Sequence, residues 1–242
     1  MKKLLWVAMT AAGLGSTAMA DVNLKHFNDL IQGVTIEKTQ PSEIEGLYEV
    51  FVKETPYPIF ISKDGRYMLE GNAVDLVRGI NLSESYINSH IKEKINQVNE
   101  KDMVIYKAPK EEQVITVFTT TDCPFCRMLH SQLDDYLAEG ITVRYLAFPY
   151  RGLNSQGYQD MVSVWCSDNR NEALNQAVAF AEAKKGEQIP VKSCNNPISD
   201  QYQLALELGV QGTPAIILED GSMIPGYVPA KELKKRIEMK GL

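Results

Sequence analysis

Two cysteines, Cys123 and Cys126, enclose the dipeptide Pro124-Phe125. The pair falls between a β-branched run, Val114 to Thr120, and a segment with helical spacing. Cys123 is thereby expected at a helix N-terminus, where unpaired backbone N–H groups and the helix dipole favour negative charge. At such positions a cysteine pKa falls from about 8.5 into the range of roughly 3.5–7.5. Arg127, in the same first turn, adds a positive charge, while Asp122 opposes it through well-screened solvent. Pro124 is tolerated because first-turn N–H groups have no helical partner. Cys126, one turn along and nearer the covered side, is expected to be the resolving thiol.

A fall in pKa from ~8.5 to ~5 raises the thiolate fraction at pH 7 roughly 30-fold, while intrinsic nucleophilicity drops roughly 25–60-fold. The rate of attack barely changes. The gain lies in departure, because a stabilised thiolate leaves a mixed disulfide readily, which suits shuffling of bonds as well as making or reducing them. No carboxylate lies inside Val114 to Thr120 to serve Cys126 as a base; Glu111 and Glu112 stand upstream.

The alternatives for this pair are an inert bridge and half of a zinc site. A zinc ribbon needs a second Cys-x-x-Cys. Cys166 and Cys194 stand alone, and His130 is the only histidine near the first pair, so neither a metal nor another cofactor is expected. Four cysteines allow three pairings, and with Cys123 and Cys126 bonding locally the remainder is Cys166–Cys194. That bridge would close a loop around a helical stretch and contribute about 3–4 kcal/mol in the chain-entropy model. It reads as structural, with a second redox pair as the other option. Further on, Gly212-Thr213-Pro214 precedes a strand. A proline at strand entry loses no ladder bond. The sharper reading is a cis Thr213-Pro214 bond that offers the Thr213 backbone to a substrate peptide as a strand partner.

The elements that must hold these residues follow from periodicity. Pro124 to Ala138 reads as one helix with Phe125, Leu129, Leu133 and Leu137 on one face, and Ile141 to Phe148 as a second strand. This β-α-β order predicts a parallel pair with a crossover helix. Helical stretches follow at 157–168, 171–185 and 199–208, the last stopped by Gly209. Then come a strand from Ala215 to Leu218, a turn at Asp220-Gly221, a strand from Ser222 to Pro225, and a final helix opened by Pro229 and reaching about Met239. Residues 103–242 thus read as α/β, a mixed sheet with helices on its faces.

Upstream, residues 83–100 read as a helix with Ser83 as N-cap, Leu82 and Ile87 at staple positions, and an apolar stripe of Ile87, Ile91, Ile95 and Val98. Such a helix lies on its own domain or links two units. Residues 21–82 read as a small α+β unit. Leu24, Phe27, Leu30 and Ile31 mark a helix that Gly33 ends, Leu47 to Val52 is strand-like, and Pro58 to Ser62 with Tyr67 to Glu70 form a hairpin turning at Asp64-Gly65. So small a core is marginal alone, which makes self-association a reasonable expectation.

Lys2 and Lys3, the apolar run from Leu4 to Leu14 and the small-x-small site Ala18-Met19-Ala20 make residues 1–20 a signal peptide, too short to span a membrane. Export leads to an oxidising compartment where disulfides persist. The chain has 242 residues, 44% hydrophobic and 23% charged, which excludes disordered and low-complexity classes. With 25 Lys+Arg against 31 Asp+Glu and a net charge of -6, nucleic acid is not an expected partner.

Together with Met103 to Pro109, Val114 to Thr119, Gly140 to Pro149, Trp165-Cys166, Gly212 to Ala215 and Pro225 to Tyr227, these features resemble the thioredoxin fold and, more closely, the DsbC/DsbG family of periplasmic disulfide isomerases. The resemblance covers nearly all of the chain after residue 20. It implies a thioredoxin-like catalytic domain with a helical insertion over 103–242, an N-terminal dimerisation domain over 21–82 and a linker helix over 83–102, assembled as a V-shaped homodimer. It further implies an apolar cleft for misfolded disulfide-containing exported proteins, with chaperone activity, and an inner-membrane reductase of the DsbD type that keeps Cys123 and Cys126 reduced. By match of motif, Cys123 is the nucleophile, Cys126 the resolver, Thr213-Pro214 the cis-proline loop and Cys166–Cys194 the structural bridge. The dipeptide Pro124-Phe125 departs from the Gly-Tyr of the best-known DsbC enzymes and is nearer the Pro-Tyr of DsbG. The reading is a thiol–disulfide isomerase and reductase that rearranges incorrect bonds; a DsbG-like protector of single thiols and a redox-independent holdase are the rivals.

Overall fold

The computed structural model describes residues 22–55, 57–183 and 189–241. The expected signal peptide lies outside them. The described residues form two compact units, divided between Gly71 and Asn72.

In the first unit a short helix α1 (Lys25–Leu30) precedes strands β1 (Ile36–Pro41), β2 (Leu47–Val52), β3 (Ile59–Ser62) and β4 (Met68–Leu69). The strands pair antiparallel in that order, so β1 and β4 are the edges. The core is Phe27, Val50, Val52, Ile59 and Ile61. Leu30 does not join it; at 81% exposure it lies on the open side of a helix only 6 residues long. The Asp64-Gly65 turn forms as expected, with Asp64 Oδ1 accepting from the Arg66 N–H at 3.1 Å. The pattern does not foretell β1, whose single buried residue is the polar Thr39.

The second unit begins with a hairpin, β5 (Val74–Asp75) and β6 (Ile80–Asn81), and helix α2 (Leu82–Gln97). The chain continues through β7 (Val104–Tyr106), β8 (Gln113–Thr119), α3 (Pro124–Ser131), α4 (Leu133–Ala138), β9 (Ile141–Ala147), α5 (Gln156–Trp165), α6 (Arg170–Ala183), α7 (Ile198–Glu207), β10 (Ala215–Ile217), β11 (Met223–Pro225) and α8 (Ala230–Met239). The sheet order is β11-β10-β8-β9-β7. β8 and β9 run parallel, from Gln113 opposite Ile141 to Thr119 opposite Ala147, and the other pairs are antiparallel.

Because side chains alternate along a strand, the sheet sorts its residues onto two faces. Ile115, Val117, Val143, Tyr145 and Ile216 enter the larger core with α3, α4, α5, α6 and α8. Phe118, Leu146, Ala215 and Ile217 enter the other with α2 and α7. The α2 stripe belongs to this second core, with Ile91 and Ile95 buried and Ile87 and Val98 packed against it. Each buried isoleucine contributes about 1.5–3 kcal/mol. The turn at Gly221 backs onto the same helix. Its φ of +87° suits glycine, and a Cβ there would collide with the Asn88 carbonyl.

Three expected details differ. The α2 cap is Asn81, whose side chain accepts from the Glu84 N–H at 3.1 Å, because the Ser83 hydroxyl is engaged by the Ala73 N–H at 3.2 Å. Pro229 caps α8 instead of opening it. The expected helix from Pro124 to Ala138 breaks at Gln132 (φ -104°, ψ 19°), whose side chain is held by the Tyr227 hydroxyl at 2.5 Å. Among the described residues no helix is long and apolar enough to cross a membrane.

Candidate active site

The site forms where β8 ends. Thr120, Thr121 and Asp122 carry the chain off the sheet to Cys123, the N-cap of α3, whose backbone is extended (φ -92°, ψ 123°). Pro124 opens the helix, where its missing N–H costs nothing. β10 pairs with β8 so that Ala215 stands opposite Phe118, which brings the preceding Thr213 and Pro214 alongside the same strand end. The Thr213-Pro214 bond is cis. The Cys123 thiol donates to the Thr213 carbonyl at 3.1 Å.

Cys123 and Cys126 are unbridged and buried, 6% and 2% exposed. Their environments drive them apart. The hydrogen bond from the Cys126 thiol is the largest influence on Cys123 and brings its pKa from 9.0 down to about 5. Burial opposes this, while the Thr213 side chain and the N–H groups of Cys126 and Phe125 reinforce it. Thr213 Oγ1 is buried and has no hydrogen-bond partner of ordinary geometry. Burial pushes the Cys126 thiol well above its ordinary value, and its bond to Cys123 adds to that. The result is one ready thiolate beside one thiol held in reserve.

The charges expected to tune Cys123 are spent elsewhere. Arg127 Nη1 donates to the Thr121 carbonyl at 3.1 Å. Asp122 accepts from Thr120 Oγ1 at 2.7 Å and faces Arg151 Nε at 3.3 Å. Gly157 of α5 leaves room for it, since a Cβ there would come within 2.8 Å of Asp122 Oδ1. Glu111 and Glu112 precede β8, at the end opposite Cys123, a strand length of ~20 Å away. Glu111 accepts from Thr142 Oγ1 at 2.6 Å, and Glu112 pairs with Lys110 at 2.8 Å and Lys234 at 3.2 Å. Neither reaches the pair.

Phe125 and Met128 stand on the open side of α3, 57% and 42% exposed, so Phe125 leaves the apolar face expected for it and rims the site. Cys166, the C-cap of α5, is bonded to Cys194, 28 positions later in sequence, with Cα atoms 5.6 Å apart.

Four polar side chains that no motif marks meet beside α3. His130 Nδ1 lies 3.3 Å from the Tyr145 hydroxyl, and its Nε2 lies 2.9 Å from Asn175 Oδ1. The Tyr106 hydroxyl donates to the same Asn175 Oδ1 at 2.7 Å. The one signal in the sequence is that His130 follows Cys126 by a helical turn and shares its face.

Comparison with known proteins matches residues 15–84 to the disulfide bond isomerase protein N-terminal domain and residues 100–240 to a thioredoxin-like domain. The thiol:disulfide interchange protein DsbC of Dickeya dadantii is 38% identical, over 98% of this chain and 96% of that protein. DsbC of Escherichia coli strain K12 is 35% identical, with the same 98% and 96% covered. DsbC of Haemophilus influenzae is 32% identical over 98% of each chain.

Proposed function

The chain belongs to the DsbC family of thiol:disulfide interchange proteins, disulfide isomerases built on a thioredoxin-like domain, and from that premise we propose a division of labour within its site. Cys123 attacks a wrong disulfide in a substrate protein and forms a mixed disulfide, releasing one substrate thiolate. A second substrate thiol then attacks, which completes isomerisation, or Cys126 attacks, which completes reduction. The Thr213 backbone pairs with the substrate strand, with Pro214 turning it toward Cys123. Cys166–Cys194 holds the fold and takes no part in exchange. The observation that carries this reading is the placement of unbridged Cys123 at the N-terminus of α3, 3.1 Å from the carbonyl that precedes cis Pro214, with Cys126 buried one turn behind it.

The setting follows from the same premise. Residues 1–20 direct export to the periplasm, where a reductase of the DsbD type in the inner membrane returns the pair to its reduced form. Two copies associate through residues 21–82. The exposed Tyr67, Met68 and Leu69 along the edge strand β4 support that association, since an unpaired apolar edge invites another strand.

The test is a trap. In a Cys126→Ala background, Cys123 accumulates mixed disulfides with multi-cysteine exported proteins, identified after non-reducing separation. Adducts limited to single-cysteine proteins favour the thiol-protector reading instead, and the absence of adducts favours a holdase.

A further inference from the structure

The sheet face beneath α2 changes character along β8. Toward the catalytic end it is apolar, with Phe118, Leu146, Ala215 and Ile217 sharing one core with Ile91 and Ile95 of the helix. One alternation step back toward the start of β8, the same face carries Thr116 and, directly opposite it on β9, Arg144. Arg144 is the only charged residue in β9. A guanidinium set beside a hydrophobic core is costly unless its donors are met. Here they are met in part. Nη2 pairs with Glu100 Oε1 at 2.6 Å, while Nε is buried and has no hydrogen-bond partner.

A cavity of about 270 Å³ opens at this place. Thr116, Arg144 and Ile217 line it from the sheet, and Lys92 and Asn96 line it from α2. Lys94, the next cation on the helix, is paired with Glu207 at 2.5 Å and takes no part in the lining. Two cations, an amide and a hydroxyl therefore meet around one orphaned donor. The volume falls just below the ~300–1,000 Å³ of drug-sized ligand sites, so the occupant is small. Glu219, an exposed carboxylate that follows β10, also lines the cavity and opposes an anion there.

We propose that this cavity binds a small oxyanion, a carboxylate or phosphate group, between α2 and the sheet. Arg144 Nε donates to one of its oxygens, Lys92 supplies the second charge, and Asn96 and Thr116 offer further donors. Arginine suits this task because its planar fork matches both oxyanions. The site is separate from the thiols, since β8 runs ~10 Å from Thr116 to its end before the chain turns to Cys123. An occupant touches α2 and the strands beneath it together, so binding fastens the helix to the sheet and stabilises that arrangement by mass action.

The experiment titrates the full chain with inorganic phosphate and with succinate, each at fixed ionic strength and in parallel with chloride. The reading is the Arg144 Nε–H resonance in a proton–nitrogen spectrum, assigned by its absence from Arg144→Lys. The expected result is a saturable shift with a midpoint of ~1 mM for at least one of the two probes and none for chloride. Saturation by phosphate alone assigns a tetrahedral anion, and by succinate alone a carboxylate. Lys92→Gln, at an exposed helix position, should raise the midpoint ~10-fold, and Glu219→Gln should lower it ~3-fold. The α2 amides should exchange with deuterium more slowly in the loaded wild type than in the loaded Lys92→Gln. A resonance that drifts without saturating, or that moves equally with chloride, overturns the site. An unchanged midpoint in Lys92→Gln does the same. Should Arg144→Lys fail to fold, calorimetric titration of the wild type against Lys92→Gln decides: equal heats and midpoints overturn the proposal, and loss of binding in the variant supports it.

Discussion

The two cysteine pairs share one chemistry and live in opposite surroundings. Cys123 caps the N-terminus of α3, while Cys166 caps the C-terminus of α5. The first position offers N–H groups and positive dipole potential to a thiolate; the second offers carbonyls and negative potential. Exposure runs the other way, because Cys194 is exposed whereas Cys123 and Cys126 are buried. Accessibility therefore does not sort a working thiol from a structural one here. The donors around the sulfur do, the Cys126 thiol first and the N–H groups at the helix end after it.

Breaking the contrast outright needs single substitutions. Cys123→Ala should reduce reactivation of a scrambled substrate to background while leaving the fold intact. Cys194→Ala should do the reverse, preserving exchange but lowering stability to urea by about 2–5 kcal/mol. Equal loss of activity in both would erase the distinction.

Titration sharpens it. Alkylation of Cys123 in the reduced chain should be half-maximal near pH 5 and flat above pH 7, with Cys126 untouched at neutrality. The folded pKa is depressed below the unfolded value of about 8.5. The stability this adds to the reduced chain is therefore fully present above that value and is lost as pH falls through about 5. Melting the reduced wild type against Cys123→Ser from pH 9 down to pH 4.5 should show the difference vanish. A gap that persists or widens at low pH contradicts it.

The smallest effect concerns the neighbouring charges. Arg151 already compensates Asp122, so Asp122→Asn should move the Cys123 titration by less than ~0.7 units, downward. Arg151→Gln should move it upward by a similar amount. A shift of a full unit in either variant would mean that surface charge, and not the Cys126 thiol and the other donors around it, governs the sulfur.

Much of this site is legible along the chain, because its chemistry is local. A β-branched run, Cys-Pro-Phe-Cys and a helical period put Cys123 at a helix start, and the strand beginning at Ala215 carries Thr213-Pro214 with it. The parallel β8–β9 pair follows from the order of elements. What escapes is tertiary. The i, i+4 series of Phe125, Leu129, Leu133 and Leu137 gives no hint that the helix breaks at Gln132, whose side chain accepts from the Tyr227 hydroxyl. Ser83 and Asn81 are both good caps, and only the reach of the Ala73 N–H decides between them. β1 buries one threonine and so shows no apolar alternation. The group of Tyr106, His130, Tyr145 and Asn175 draws on β7, α3, β9 and α6, and only the folded chain assembles it.

The Cys166–Cys194 bond spans all of α6. A protease that cuts the backbone once anywhere inside that span makes two fragments that stay tied together. They migrate as one species until a reductant is added, and only then does the nick become visible on a gel.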